Sequence, residues 1–161
     1  EELVVSDIAS LSYFTRRPLG LVQPNQDWWI TIYTAKTDNN DDSDDDDWYH
    51  RRYISNYGDH VATNAWTRYS TSFATADVPA MTFRKQLLNN EPTGAPMSIS
   101  ALASSIAPPN NLVAREDRVL SITLQTDSGW NGFDGSVDGL EIVLRDGRIG
   151  RVDFQRCTTE T

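Results

Sequence analysis

The sequence predicts an all-β protein, an antiparallel two-sheet sandwich with one short helix around residues 98–107. Three observations lead to this fold class. Many short runs alternate between apolar and polar residues, as strands with one buried face do. These runs are rich in aromatic and β-branched residues and are separated by Gly, Pro, Asn and Asp. A single run has helical spacing. Because 161 residues suffice for one core, residues 1–157 are expected to form one domain, followed by a polar tail at 158–161.

The first half of the chain supplies the early strands. LVVSDIASLSYFTRR contains two apolar runs and ends at a Pro-Leu-Gly breaker. WWITIYT (28–34) alternates cleanly, and places Trp28, Ile30 and Ile32 on one face and Trp29, Thr31 and Tyr33 on the other. WYHRRYI (48–54) and WTRYST (66–71) are predicted to be aromatic-rich strands. The tryptophans assigned to the core are Trp28, Trp48 and Trp66.

The middle of the chain contains a further strand and the helix. VPAMTFRKQLL (78–88) reads as a strand, and Pro79 indicates a sheet edge because proline cannot donate a hydrogen bond to a neighbour. Between residues 98 and 107 the apolar spacing becomes helical, and Pro108-Pro109 ends it. The helical positions are Ile99, Leu102, Ala103 and Ile106.

The last third of the chain, 119–155, predicts three strands, of which the last two form a hairpin. A two-residue Asp-Gly turn would place Asp153 opposite Leu140, among aliphatic side chains. A three-residue loop at 145–147 keeps the apolar residues together and gives Gly147 the left-handed position that such a loop requires. The predicted pairs are Leu144 with Arg148, Val143 with Ile149, Ile142 with Gly150, Glu141 with Arg151 and Leu140 with Val152. Gly150, Val152 and Phe154 are expected to share the buried face.

The net charge of −9 argues against nucleic acid and anionic membrane surfaces as partners, since both require a positive face. The excess is local: residues 38–47 hold seven aspartates, and without them 23 − 7 = 16 acids face 14 bases. No apolar run approaches the length that membrane insertion requires. Cys157 is the single cysteine and can form no internal disulfide. Glu1 is either a mature N-terminus or the edge of a longer multi-module protein, and both remain open.

Seven segments of the chain occur in an order typical of a known class of modules. The segments are SDIASLSYFT, DWWITIYT, an Asp-rich loop, WYHRRY, AWTRYST, SGWNGFDGSVDGLEI and DGRIGRVDF. This pattern resembles the jelly-roll modules of secreted and cell-surface microbial proteins, which are similar to concanavalin-like and carbohydrate-binding sandwiches. It is most specific at residues 129–140. The resemblance implies a jelly roll, an extracellular or cell-surface location, and a non-catalytic role in adhesion, glycan contact or surface-layer building. The aspartate run and the residues after Phe154 depart from it.

The acidic loop is a candidate calcium site. Asp38, Asn40 and Asp42 have the alternate-oxygen spacing of calcium loops, and Asp44 extends the same set. Ser43 and Tyr49 stand where an EF-hand has Gly and Glu, so a helix-loop-helix site is excluded. The other interpretation is a solvated, charged loop. Asp134 and Asp138, around Gly135, are a second candidate, with turn chemistry as the alternative explanation.

Exposed aromatic side chains are candidate sugar-binding residues. Trp29 and Tyr33 are predicted to share a strand face and to lie roughly 13 Å apart, a spacing suited to non-adjacent sugar units. Trp130, between Gly129 and Asn131 in a loop, is the third candidate. The alternative is that these rings are buried in the core or in a second packed layer.

Catalysis has little support in the sequence. His50 and His60 are the only histidines, show no metal-ligand spacing, and are expected on the surface or in loops. No G-x-S-x-G motif is present. Glu141 and Asp153 could form a glycosidase pair, but Glu141 already has Arg151 as its cross-strand partner. No enzyme is predicted.

Two functions from different classes follow from these observations. The first is a non-catalytic extracellular module that binds a glycan or cell-surface polymer through exposed aromatics, with calcium as a candidate ligand of the acidic loop. The second is a self-assembling structural subunit of a surface layer, filament or tandem array, joined through edge strands. The first requires exposed rings around a groove; the second requires an unpaired edge or apolar area that a neighbour can bury.

Overall fold

The computed structural model describes residues 2–18, 27–35, 48–49, 51–56, 60, 64–87, 93–104, 117–127 and 133–154. A 3₁₀ turn at Val5–Asp7 precedes nine strands and one α-helix within these ranges. The elements are β1 Ile8–Arg16, β2 Trp29–Thr34, β3 Arg51–Ser55, β4 Thr67–Ser70, β5 Phe83–Leu87, β6 Thr93–Met97, α1 Ile99–Ser104, β7 Val119–Gln125, β8 Ser136–Leu144 and β9 Ile149–Val152.

The strands form two antiparallel sheets. One has four strands in the order β4-β1-β8-β9, and the other has five in the order β6-β5-β3-β2-β7. The predicted fold class, an all-β two-sheet sandwich with a short helix, is confirmed. The finer assignment to a jelly roll remains a prediction.

The core lies between the two sheets, and both contribute to it. Leu11 and Tyr13 of β1 pack in one cluster with Ile30 and Ile32 of β2, as the alternation in WWITIYT predicts. Each fully buried aliphatic side chain of this kind contributes about 1.5–3 kcal/mol to folding. The rest of the buried cluster consists of Val5, Ile8, Tyr53, Tyr69, Met81, Phe83, Ile99, Leu102 and Leu140.

The start of the chain ties the two sheets together. The Val5 N–H donates to the Asp117 carbonyl at 3.0 Å, and the Val119 N–H donates to the Leu3 carbonyl at 2.8 Å. The Ala35 N–H donates to the Arg118 carbonyl at 2.9 Å. Because residues 3–5 lead into β1 while residues 117–119 lead into β7, these bonds fix the side chain of Asp117 at one end of the core.

The C-terminal hairpin has the predicted register. Leu140 pairs with Val152, Glu141 with Arg151, Ile142 with Gly150 and Val143 with Ile149. The Leu144 N–H donates to the Arg148 carbonyl at 2.9 Å, and Gly147 has φ +89°, so the three-residue loop is confirmed.

The burial predicted for the last strand is wrong. Leu140 is buried and Ile142 packs against the core, but Val152 and Phe154 are about half exposed, at 45% and 49%. The reason is position in the sheet. β9 is an edge strand of the four-stranded sheet, and all four of its residues are exposed.

The edge assignment drawn from Pro79 is also wrong. Pro79 precedes β5, which lies inside its sheet between β6 and β3. The edge on this side of the sheet is β6, Thr93–Met97, which contains Gly94 and Pro96 and therefore lacks the residue pattern typical of a strand. Proline is tolerated there because an edge strand has a side without a partner.

The remaining elements agree in outline. The helix is described as Ile99–Ser104, and Ile99 and Leu102 are buried as their spacing predicts. Residues 105–107 of the predicted helix and the tail at 158–161 lie outside the described residues. None of the described helices is long and apolar enough to cross a membrane.

Candidate functional site

The outer face of the five-stranded sheet carries a row of side chains with hydrogen-bonding and aromatic groups. Tyr33 of β2 pairs with Arg52 of β3, and Arg52 pairs with Gln86 of β5. Their strand neighbours Ile32 and Tyr53 are core residues, so the row points away from the core. Gln125 of β7 lies opposite Trp29, which is four residues before Tyr33 on β2.

Two aromatic residues outside the strands lie over this row. Trp48 packs against Tyr33 with ring centroids 4.7 Å apart and planes inclined at 36°. Tyr49 makes edge contacts with both rings at 5.0 Å. Trp48 is nevertheless 62% exposed, because its contacts with Tyr33 and Tyr49 leave much of the indole open to solvent. A large exposed ring supported by two others is a preformed flat apolar surface.

A hydrogen-bond network fixes the polar members of the row. Arg52 Nε donates to Gln86 Oε1 at 2.8 Å, and its Nη1 donates to the Tyr33 hydroxyl at 3.2 Å. The Tyr33 hydroxyl in turn donates to Gln125 Oε1 at 3.1 Å. The Arg52 guanidinium also lies 5.8 Å from the Tyr33 ring centroid and 5.9 Å from that of Tyr49. We call this set the Trp48 platform; its members are Tyr33, Trp48, Tyr49, Arg52, Gln86 and Gln125.

The structure corrects the aromatic residues predicted to bind sugar. Trp29 and Tyr33 are on the expected face, but each is only 7% exposed. All six residues of β2 are buried, because this strand lies between β3 and β7 and its outer face is a second packed layer. Trp130 lies outside the described residues. Of the three candidates, only Tyr33 contributes to the platform, as the support beneath Trp48.

The core assignments of two tryptophans are wrong for a related reason. β3 begins at Arg51 and β4 at Thr67, so Trp48 and Trp66 precede strands rather than belonging to them. Neither ring therefore has a core-facing position, and Trp66 is 48% exposed. Trp28 does pack against the core, partly buried, and its Nε1 donates to the Gly135 carbonyl at 3.1 Å.

The sequence did contain a signal for the platform. In WYHRRYI two aromatic residues come directly after the acidic run and directly before a strand containing Arg52. Aromatic residues beside charged ones at a strand boundary indicate an exposed position better than a core position. The network through Gln86 and Gln125 had no such signal, because those residues are 34 and 73 positions away from Arg52 along the chain.

The predicted calcium ligands, Asp38, Asn40, Asp42 and Asp44, lie outside the described residues, and the calcium site stays a prediction. Within the described ranges, no three His, Cys, Asp or Glu side chains form a metal-binding group. Asp138, the weaker candidate, accepts hydrogen bonds at Oδ1 from the N–H groups of Gly139 and Phe154, at 2.7 and 3.1 Å. These bonds favour the turn explanation for Asp138.

His60 is not a surface residue, contrary to the prediction. It is buried at 6% exposure, and its ring stacks on Tyr69 with centroids 3.7 Å apart and planes inclined at 18°. Burial lowers the pKa of His60 to about 3, and a backbone hydrogen bond with Trp28 opposes this effect. The imidazole is therefore neutral at physiological pH. His50 lies outside the described residues.

The carboxylate pair considered for catalysis has a different arrangement. Glu141 Oε2 lies 2.7 Å from Arg151 Nε, the predicted cross-strand contact, and Glu141 Oε1 lies 3.8 Å from Arg68 Nη2. Glu141 thus takes part in a surface ion-pair group on the outer face of the four-stranded sheet.

No family model, curated protein or solved structure matches this chain.

Proposed function

We propose that the protein is a non-catalytic glycan-binding module and that the Trp48 platform is its sugar-binding surface. The observation that carries the proposal is the 62% exposure of an indole that rests on Tyr33 and Tyr49 beside the fixed side chain of Arg52. A pyranose ring presents a face of C–H groups and a rim of hydroxyls. An exposed aromatic surface bordered by guanidinium and amide groups complements both parts.

The rigidity of the Trp48 platform favours a ligand-binding role for Trp48 over an indole that is merely exposed. Trp48 contacts Tyr33 and Tyr49, and Arg52 is fixed by Gln86 and Tyr33, so little conformational freedom is lost when a ligand binds. By contrast, no ring contact accompanies Trp66 among the described residues. The extracellular or cell-surface location comes from the family resemblance alone.

The test compares two exposed tryptophans. A glycan array identifies a ligand for the unmodified chain, and isothermal titration then measures its affinity for Trp48→Ala and Trp66→Ala. Trp48→Ala should weaken binding by roughly tenfold or more, since it removes the stacking surface. Trp66→Ala removes an exposed indole beside the other sheet and should leave the affinity unchanged. Equal losses in both variants, or no loss in Trp48→Ala, would contradict the proposal.

A second pair of variants examines the polar half of the platform. Arg52→Lys keeps the charge but loses the planar fork that contacts Gln86 and Tyr33, so it should weaken glycan binding measurably. Arg84→Lys changes an exposed arginine on the same face of β5 and serves as the matched control. If the two variants bind alike, Arg52 has no part in recognition.

We propose calcium as a ligand of Asp38, Asn40, Asp42 and Asp44, in a run that ends at Asp47, directly before Trp48. Hard cations prefer such oxygen ligands. Calcium should then raise the melting temperature of the protein, and Asp42→Asn should reduce that increase. Identical melting curves with calcium and with chelator would eliminate the calcium site while leaving the glycan proposal intact.

A further inference from the structure

The sheet that carries the Trp48 platform has cations but no carboxylates in its strands. Its five described strands contain no aspartate or glutamate; their sequences are WITIYT, RRYIS, FRKQL, TGAPM and VLSITLQ. Arg51 and Lys85 lie on the core side, near Asp117. Arg52 and Arg84 lie on the outer face, since each is next in the chain to a core-side residue. The charged side chains that these strands place on the outer face are therefore all positive.

Arg52 is held in place by neutral groups. Its Nε and Nη1 donate to Gln86 and Tyr33, and its Nη2 makes no hydrogen bond or ion pair within the described part of the chain. The outer face of the four-stranded sheet is different, because there Arg68 and Arg151 both lie within 3.8 Å of Glu141. Arg52 is partly buried and has a free Nη2. An anionic ligand could therefore supply the counter-ion that the described strands lack.

The guanidinium of Arg52 also lies beside the stacking surface. It is 5.8 Å from the ring centroid of Tyr33, and the ring of Trp48 is 4.7 Å from the same centroid. A sugar stacked on the exposed face of Trp48 would therefore have Arg52 near its rim. In a hexuronic acid the carboxylate projects from the rim of the pyranose, while the C–H groups of the ring face remain available for stacking. One such sugar can contact both groups at once.

The charge of the rest of the molecule limits how many acidic groups the ligand can carry. The net charge is −9, and the run that holds seven aspartates, residues 38–47, ends directly before Trp48. These charges repel a polyanion, which has only one fixed guanidinium to pair with on the platform. Exposed charges more than about 8 Å apart are largely screened at physiological ionic strength, so a single ion pair in direct contact is affected less. The charge distribution favours one isolated carboxylate.

We propose that the ligand of the Trp48 platform is a glycan with an isolated hexuronic acid, whose carboxylate pairs with Arg52 while its ring stacks on Trp48. This inference rests on the proposed glycan-binding function and adds the class of sugar to it. The carboxylate decides the preference because its hydrogen bonds with a guanidinium are about twice as strong as those of a neutral hydroxyl.

Reduction of the ligand carboxylate tests the inference in the unmodified chain. A glycan array with neutral glycans, glycans that carry one uronic acid and sulfated polyanions should give its strongest signals with the second group. Isothermal titration then compares the best of these glycans with the same glycan after its carboxylate is reduced to a primary alcohol. Reduction should weaken binding at least about tenfold. Equal affinities, or stronger signals from neutral or sulfated glycans, would overturn the inference and leave the platform as a glycan site.

The variant Arg52→Gln assigns the preference to one guanidinium. It should bind the acidic and the reduced glycan within about twofold of each other, because the carboxylate has lost its partner. Arg84→Gln changes an exposed arginine of the same outer face and is the matched control, which should keep the full preference. Trp48→Ala should weaken the binding of both glycans, since both use the indole.

Two outcomes of these measurements would contradict different statements. A preference for the acidic glycan that persists in Arg52→Gln would overturn the pairing of the carboxylate with Arg52, and the glycan-binding function would stand. An unmodified chain that binds no glycan of any group would refute the glycan-binding function and this inference with it.

Discussion

Two buried carboxylates in this protein are stabilised in contrasting ways. Asp117 lies 2.9 Å from Arg51 Nε, both residues are 1% exposed, and the Tyr53 hydroxyl donates to the same oxygen at 2.7 Å. Asp27 is 2% exposed and accepts hydrogen bonds from neutral groups. These are the Trp28 N–H at 2.7 Å and the Thr15 hydroxyl at 2.9 Å.

The two environments act differently on protonation. Burial raises the pKa of both carboxyl groups; the Arg51 charge is the largest opposing effect at Asp117, and the Trp28 N–H is the largest at Asp27. The side chain of His60, whose Nδ1 lies 3.8 Å from Asp27 Oδ2, is itself kept neutral by burial. Asp117 has a permanent cation in direct contact and should be the more sensitive of the two to substitution. Asp27 lies beside an imidazole that burial keeps neutral, so this cluster should contribute the larger pH dependence.

The largest expected effect comes from breaking the ion pair. Asp117→Asn removes the negative charge and leaves the guanidinium of Arg51 buried without its counter-ion. Loss of one member of a buried pair costs about 3–5 kcal/mol. Urea unfolding monitored by circular dichroism should show this decrease in the free energy of unfolding.

The double variant R51M/D117L is the control for Asp117→Asn. It removes both charges, so it should be more stable than the single variant. If Asp117→Asn unfolds at the urea concentration of the unmodified protein, the pair contributes nothing and the comparison fails.

The next largest expected effect is a pH dependence of the free energy of unfolding that is caused by His60. Its pKa is lowered from 6.5 to about 3 in the folded protein, so the unfolded chain binds a proton first on acidification. The stability that results from the lowered pKa of His60 is present above pH 6.5 and is lost as the pH falls toward 3. Between pH 7 and 5 the loss amounts to about 2 kcal/mol. Asp27 and Asp117, whose pKa values are raised by burial, act in the opposite direction, since their contribution is lost as the pH rises.

His60→Phe should remove this loss, because a phenyl ring can stack on Tyr69 but cannot titrate. Unfolding free energies measured at pH 7, 6 and 5 should decline for the unmodified protein and remain level, or rise slightly, for the variant. Parallel declines in the two proteins would show that His60 is not the titrating group.

A smaller effect is expected when the threonine beside each carboxylate, Asp27 or Asp117, is replaced by valine. Thr15→Val removes a hydrogen bond to Asp27 and should cost about 1–2 kcal/mol, because the carboxylate then loses one of its neutral donors. Thr34→Val removes the corresponding hydroxyl beside Asp117. That hydroxyl donates to the Arg51 carbonyl at 3.0 Å and lies 3.5 Å from Asp117 Oδ2. This substitution should cost about 0.5–1 kcal/mol, since Asp117 keeps Arg51 and Tyr53. Thermal denaturation of both variants under one set of conditions measures the difference.

The smallest expected effect separates the contribution of burial from that of the distance between the two charged groups of an ion pair. Glu141 and Arg151 are 2.7 Å apart, closer than Asp117 and Arg51, but the Arg151 side chain is 71% exposed. Glu141→Gln should therefore change the free energy of unfolding by less than about 1 kcal/mol, and the change should diminish further in high salt. A loss comparable to that of Asp117→Asn would show that distance, and not burial, determines the contribution.

The hairpin at 140–152 was predictable from sequence pair by pair. Its register depends on local information: the alternation of Leu140 and Ile142 with polar residues, and a glycine at the left-handed position of the loop. Only one register kept the apolar residues on one face. The strand at 29–34 was predictable for the same reason.

The site was only partly predictable, because burial on the outer face depends on residues distant in the chain. Alternation in WWITIYT identified the face of Tyr33 correctly but could not show that Trp48 and Tyr49 lie over it. His60 reads as a loop residue, and its burial arises from stacking on Tyr69 and packing near Tyr13. Contacts of this kind have no local periodicity.

The order of strands in the four-stranded sheet has a consequence for synthesis on the ribosome. β1 is translated before the other described strands, but its partner β8, Ser136–Leu144, follows six of them, and the two pair along most of their length. In the other sheet, β2, β3, β5 and β6 follow one another with only β4 between β3 and β5, and they can associate while translation proceeds. We therefore expect the nascent chain to complete its second layer only once the β8–β9 hairpin has left the exit tunnel. Arrest-peptide force profiles should show one late peak, after β9 emerges.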